Sequence, residues 1–130
     1  MTPPDDLLAA ALAVRENAHA PYSDYKVGAA IRDDKGAIHA GCNVENAAYP
    51  EGQCAETSAI GGLISSGQLA IREILVIGGK QTPGPCSPCG GCRQRIREFA
   101  DSTTRIWLIG KDDEWQSVTI DDLLPGGFSL

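Results

Sequence analysis

Positive charge is scarce in this chain. Its 130 residues carry 11 Lys and Arg against 17 Asp and Glu, a formal net charge of −6. Nucleic-acid affinity comes largely from phosphate neutralisation, so this balance argues against a nucleic-acid partner. Long apolar runs are also missing: Ile74-Leu75-Val76-Ile77 is far short of the roughly 20 residues of a spanning helix, and no membrane segment is expected. The N-terminus reads Met1-Thr2-Pro3-Pro4-Asp5-Asp6, acidic where a secretory or mitochondrial signal would be basic. There is no internal repeat, no low-complexity tract and no serine in a G-x-S-x-G setting. Gly78-Gly79-Lys80-Gln81 lacks the earlier Gly of a phosphate-binding loop and has Gln81 where Ser or Thr must ligate magnesium, so it reads as a turn. His19 and His39 have no metal-like spacing to each other or to a cysteine, and both are expected at the surface.

What is present points to one globular domain over residues 1–130. The chain is 42% hydrophobic, and at this length about two-thirds of the unfolded surface can be buried without a disulfide scaffold. Five cysteines is an odd number, and three crowd into Cys86–Cys92. That suits metal binding in a reducing cytoplasm better than a secreted disulfide framework.

Apolar spacing predicts a first helix over Asp5–His19, stopped before Pro21. Two strands follow, Lys26–Asp33 and Ala37–Asn43, joined at Asp34-Lys35-Gly36. A second helix is expected over about Gln53–Ser66, ending at Gly67, and Ile71–Gly78 reads as a buried strand. A Gly- and Pro-rich loop leads to a third helix reaching about Ala100. Two more strands, Arg105–Ile109 and Glu114–Thr119, precede a helical turn at Ile120–Leu124 started by Asp121-Asp122. This order mixes hairpins with crossover helices and predicts an α/β fold, a three-layer α/β/α sandwich around one mixed five-stranded sheet.

The chemistry concentrates in cysteines. Ser87 is a suitable N-cap and Pro88 a suitable first residue for the third helix, which would put Cys89 and Cys92 on one face in its opening turns. The positive end of the helix dipole there favours the thiolate that a metal requires. Cys54 opens the second helix in the same way, and parallel neighbouring helices would gather the three sulfurs into a zinc site. Glu56, two residues from Cys54, could lean inward at the helix mouth. Three ligands plus a nearby carboxylate describe an open catalytic site, with water as the fourth ligand and Glu as proton shuttle. A closed four-thiolate site including Cys86, as structural zinc or an iron–sulfur cluster, is one alternative, and thiols buried as small hydrophobes with no metal are another. Ferredoxin spacing would next require Cys-Pro, where the chain has Ile96-Arg97.

Cys54-Ala55-Glu56 followed by Pro88-Cys89-x-x-Cys92 resembles the zinc nucleoside deaminases. Pro21-Tyr22-Ser23-x-Tyr25-x-Val27-Gly28-Ala29-Ala30, Gly41-Cys42-Asn43-Val44-Glu45-Asn46-Ala47, Ser87-Pro88-Cys89-Gly90-x-Cys92-Arg93-Gln94 and Leu123-Leu124-Pro125-x-x-Phe128 are similar specifically to the small cytidine deaminases. These stretches, in order, span nearly the whole chain. The resemblance implies Zn²⁺ held by Cys54, Cys89 and Cys92, and Glu56 as the catalytic acid–base in hydrolysis of cytidine or deoxycytidine to uridine or deoxyuridine and ammonia. Deamination of another aminated nucleoside or antibiotic ring is the alternative within the class. The resemblance further implies that the Ala55 backbone N–H supports the pyrimidine carbonyl, that Asn43 and Glu45 hold the ribose, and that Tyr25 flanks the base where the family usually has Phe. Phe128 would enter a neighbouring subunit's site in a cytoplasmic homotetramer serving pyrimidine salvage. Cys86 and Cys42 would be packed thiols. The family usually reads Cys-Ala-Glu-Arg, its Arg donating to ligand sulfurs; here Thr57 takes that place. Zinc with three thiolates carries net −1, and helix N-termini and Arg93 would remain to offset it.

Overall fold

Alternate residues of each strand feed two different cores. The computed structural model describes residues 1–130. Its strands are β1 (Lys26–Asp33), β2 (Ile38–Cys42), β3 (Ile71–Gly79), β4 (Arg105–Ile109) and β5 (Trp115–Val118). Helices α1 (Asp5–Arg15), α2 (Ala55–Ser65), α3 (Gly90–Phe99) and α4 (Ile120–Leu123) complete the order, with a short 3₁₀ turn at Tyr49–Glu51. Ala29, Ile31, Ile74, Val76, Ile106 and Leu108 point to one face and pack with Ala59 and Leu63 of α2, Ile96 of α3 and Ile120 of α4. Ala30, Leu75, Ile77 and Trp107 point to the other and pack with Leu7 and Ala11 of α1. Period-two alternation across a sheet covered on both sides therefore yields the expected three layers.

The sheet order is β2-β1-β3-β4-β5. β1 is antiparallel to both β2 and β3, β3 is parallel to β4, and β4 is antiparallel to β5. β2 and β3 consequently run the same way, and each is followed by a helix on the same face. α2 and α3 thus begin at the same end of the sheet, beyond the strands' C-termini, where open α/β sheets form their binding crevices.

Two glycines set the layer spacing. A Cβ on Gly28 would strike the Ala11 carbonyl oxygen of α1, and one on Gly41 would strike the Ala59 amide nitrogen of α2. The helices lie so close to the sheet that no side chain fits between them.

The helix α1 is shorter than its apolar spacing predicts, ending at Arg15 and not His19. Arg15 is only 4% exposed. Its Nη2 donates to the carbonyls of Gly79 (2.8 Å) and Lys80 (3.2 Å), and its Nε to Lys26 (3.0 Å). Beyond it the chain turns to pair with the segment after β2: His19 N–H donates to Asn43 O, and Glu45 N–H to His19 O. Tertiary pairing has overridden the helical pattern. His39 is also not the surface residue expected, since its Nε2 lies 2.8 Å from the buried Asp33 carboxylate. Gly78-Gly79 completes β3. Asp122 forms a capping box with Thr119 at the start of α4, the structural role expected of that acidic pair.

Candidate metal and active site

Each of the three sequence-predicted ligands sits at a helix mouth. Cys54 is the N-cap of α2, with extended backbone (φ −74°, ψ 158°), and Cys89 is the N-cap of α3 (φ −65°, ψ 167°). Cys92 is the third residue of α3 and fully buried. The cap of α3 is therefore Cys89 and not Ser87, whose hydroxyl instead accepts from Arg93 at 3.3 Å. With two glycines following it, Cys89 can swing out of the helix while Cys92 stays inside, and both thiols reach one point.

The three Sγ atoms lie within 4.8 Å of one another, and Cys54 and Cys89 are 3.7 Å apart. A disulfide needs about 2.05 Å. Tetrahedral zinc with bonds of about 2.3 Å places its sulfurs about 3.8 Å apart, so the donor set fits that ion. The pair's spacing matches, and the first-turn N–H groups of two helices supply positive potential. Burial pushes the Cys54 and Cys92 thiols up. Burial acts upward on Cys89 as well, but the nearby Cys92 backbone N–H and the neighbouring thiols outweigh it and leave that thiol below its ordinary value.

Neither of the other cysteines joins the cluster. The Cys86 sulfur and the Tyr25 ring both pack against bare Gly78, where an added Cβ would lie 2.9 Å from the sulfur and 3.1 Å from Tyr25 Cε1. Burial first, and then the neighbouring Cys86 thiol, push the Tyr25 hydroxyl up to about 12. A four-thiolate site would need Cys86 to abandon both contacts.

Glu56, the second residue of α2, is 4% exposed. Because Cys54 lies outside the helix, the two-residue spacing does not force the side chains apart. Burial pushes the Glu56 carboxyl up, opposed in part by its own backbone N–H and the Arg95 charge. A carboxyl held above its ordinary value is suited to carrying a proton in both directions.

Above the cluster opens a cavity of about 770 Å³, within the range of ligand pockets. Tyr25, Asn43, Glu45, Cys54, Ala55, Glu56 and Cys89 all line it; buried Cys92 lies beneath, and Phe128 is not among the lining residues. Phe128 is 66% exposed. Asn43 is locked by its Oδ1, which accepts from Val27 N–H (2.8 Å), and its Nδ2, which donates to Tyr25 O (2.8 Å). The Glu45 carboxylate accepts from the backbone N–H groups of Tyr22 (2.9 Å) and Ser23 (3.2 Å) and from the Ser23 hydroxyl. That hydroxyl first, then the Tyr22 N–H, holds Glu45 below the usual carboxylate range.

The sequence reading missed three residues. Arg15 ties the start of β1, at Lys26 between Tyr25 and Val27, to the end of β3 at Gly79; only its burial reveals it. Ser23 orients Glu45 across 22 positions of sequence. Arg95, and not Arg93, is the cation at the sulfurs: Arg95 Nη1 lies 3.7 Å from Cys92 Sγ. Arg93 turns away to the carbonyls of Pro88 and Leu123, each at 2.8 Å. The three-residue spacing between Cys92 and Arg95 was the available signal, since such pairs share a helix face.

Fold and donor set together define an α/β/α metal-binding domain with an open three-thiol site beside a buried carboxylate. The family described as "Cytidine and deoxycytidylate deaminase zinc-binding region" matches residues 1–108. A cytidine deaminase of Sporosarcina psychrophila is 39% identical over 125 residues, covering 96% of this chain and 90% of that protein. One of Mycoplasma pneumoniae is 40% identical over 116 residues, covering 88% and 86%. The crystal structure of a Burkholderia pseudomallei cytidine deaminase superposes with a TM-score of 0.86 at 38% identity, covering 98% of this chain and all of that one. This protein belongs to the cytidine and deoxycytidylate deaminase family, whose members are zinc-dependent hydrolytic deaminases.

Proposed function

We propose that the protein deaminates cytidine and deoxycytidine to uridine and deoxyuridine. The carrying observation is Glu56: a carboxyl 4% exposed beside three clustered thiols, lining an open 770 Å³ cavity. Cys54, Cys89 and Cys92 hold zinc, which when bound supplies the Lewis acidity that makes water nucleophilic near neutral pH. Glu56 takes a proton from the attacking water and gives it to N3 of the ring. After the new C4–O bond forms, Glu56 carries the second proton to the departing amine, and the C4–N bond breaks to release ammonia. One water is consumed per turnover and Glu56 returns to its starting state.

The other lining residues bind and orient. As first residue of α2, Ala55 has a backbone N–H with no intrahelical acceptor, free for the pyrimidine carbonyl. Glu45, kept ionised by Ser23 and Tyr22, accepts from ribose hydroxyls, and Asn43 retains one Nδ2 hydrogen for the sugar. The Tyr25 ring flanks the base. Phe128, exposed and outside its own cavity, reaches a neighbouring subunit's site in a homotetramer. The domain comprises residues 1–130 and works in the cytoplasm in pyrimidine salvage. Ammonia release by the zinc-loaded protein tests the reading, over cytidine, deoxycytidine and other aminated nucleosides and bases. Turnover of both cytidines is expected. Turnover of another ring with neither cytidine accepted would overturn it.

A further inference from the structure

Of the three clustered thiols, Cys92 alone is wholly buried, and a thiolate there needs donors that water cannot provide. Two side chains reach it from different helices. Thr57 Oγ1, from α2, stands 3.8 Å from Cys92 Sγ, and Arg95 Nη1, from α3, stands 3.7 Å from the same atom. Helical side chains lean toward the N-terminus, so Arg95 sweeps back one turn over Cys92. Its path crosses Gly91, where a Cβ would lie 3.0 Å from Arg95 Nη1, so the bare backbone leaves the guanidinium its lane. The other cation of this turn, Arg93, is committed to backbone carbonyls.

We propose that Thr57 and Arg95 are paired positioning residues for the Cys92 sulfur, clasping it from both helices and offsetting the charge of the three-thiolate centre. The inference rests on the zinc reading above. Three thiolates and Zn²⁺ sum to −1, and the Arg95 guanidinium brings the immediate centre to neutrality. Hydrogen bonds to a ligand sulfur also fix its direction and draw electron density from it, the usual work of groups one layer outside a metal. Thr57 supplies a neutral donor on the α2 side, so the same sulfur ties the two helix mouths together.

The test uses the full-length protein loaded with zinc, and separately with cobalt as a spectroscopic probe. Arg95→Gln and Thr57→Val are compared with the parent, with Arg95→Lys as the conservative rescue. Arg95→Gln should lose zinc to a competing chelator about 10- to 100-fold more readily, Thr57→Val less so, and Arg95→Lys should recover part of the affinity. In the cobalt protein, loss of a donor makes the sulfur more electron-rich. The thiolate-to-cobalt absorption should therefore move to longer wavelength in Arg95→Gln and return toward the parent in Arg95→Lys. A parent protein with no thiolate-to-cobalt absorption overturns the metal reading and this inference with it. A parent with the band, but variants with unmoved band and unchanged zinc retention, overturns the inference alone.

Discussion

Replacing Glu56 by Gln should separate proton transfer from metal binding. The side chain is 4% exposed, and Gln occupies nearly the same volume, so no cavity opens and no packing is lost. Burial already disfavours the ionised carboxyl, so a neutral amide removes a desolvation cost and introduces no unpaired charge. Glu56 is not one of the clustered thiols, and all three remain in the variant. Zinc should therefore stay at one per chain and the Tm should not fall. What should disappear is the proposed proton carrier, for the other carboxylate lining the cavity, Glu45, is tied to the Tyr22 N–H and the Ser23 hydroxyl. Positioned acid–base groups contribute about 10²–10⁴ in rate, and with each decade equal to about 1.36 kcal/mol the barrier should rise by about 2.7–5.4 kcal/mol. The assay is steady-state kcat on cytidine, with zinc content and thermal unfolding measured on the same preparation. Turnover within tenfold of the parent at full zinc occupancy would refute the proton-carrier role. Loss of zinc together with activity would refute the separation of roles.

Cys89→Ala should empty or strongly weaken the metal site while Cys86→Ala retains one zinc per chain, as measured by metal analysis after dialysis; the reverse pattern would make Cys86 a ligand. Phe128→Ala should raise KM by up to about tenfold, the scale of one aromatic contact, and sedimentation showing a fully active monomer would refute the shared site. Asp33 is held below the usual carboxylate range first by His39, then by the N–H groups of Lys35 and Ala37. A lowered folded value means its stabilisation is present above the ordinary aspartate value near 3.8 and lost as pH falls through the folded one. The stability difference between the parent and Asp33→Asn, followed by denaturant unfolding against pH, should therefore narrow below pH 3.8; a gap constant with pH would contradict it. Gly41→Ala forces α2 off β2 and should cost about 1–3 kcal/mol, a Tm drop of roughly 4–12 °C, since the added methyl meets the Ala59 backbone.

The parts legible in the sequence were those encoded at short range. Strand-like apolar and β-branched runs marked all five strands, and β1 and β4 fall at the expected residues because such runs and the Asp34-Lys35-Gly36 turn are local signals. Cys54, Glu56 and Cys89-x-x-Cys92 were identifiable because a metal centre at helix mouths needs particular residue types at fixed offsets from helix starts. Boundaries were less legible where two local signals competed. Ser87-Pro88 is a good helix start on propensity, yet Cys89 is the cap.

Only the tertiary structure decided which residues serve those ligands across the chain. Nothing local in Arg15 says that its guanidinium will cross 64 positions to the Gly79 carbonyl and cut α1 short. Nor does local pattern separate Arg93 from Arg95: both lie near Cys92 in sequence, and the packing of α3 against the 123–128 segment takes Arg93 for Leu123 and leaves Arg95 to the sulfur. The Tyr25–Cys86 contact and the Ser23–Glu45 buttress likewise depend on the ends of β1, β2 and β3 meeting at one edge. Residue types and helical offsets determine what chemistry the chain can support. The crossover of two helices onto one sheet face determines which side chains face the sulfurs, because long-range contacts carry no periodic signature in the sequence.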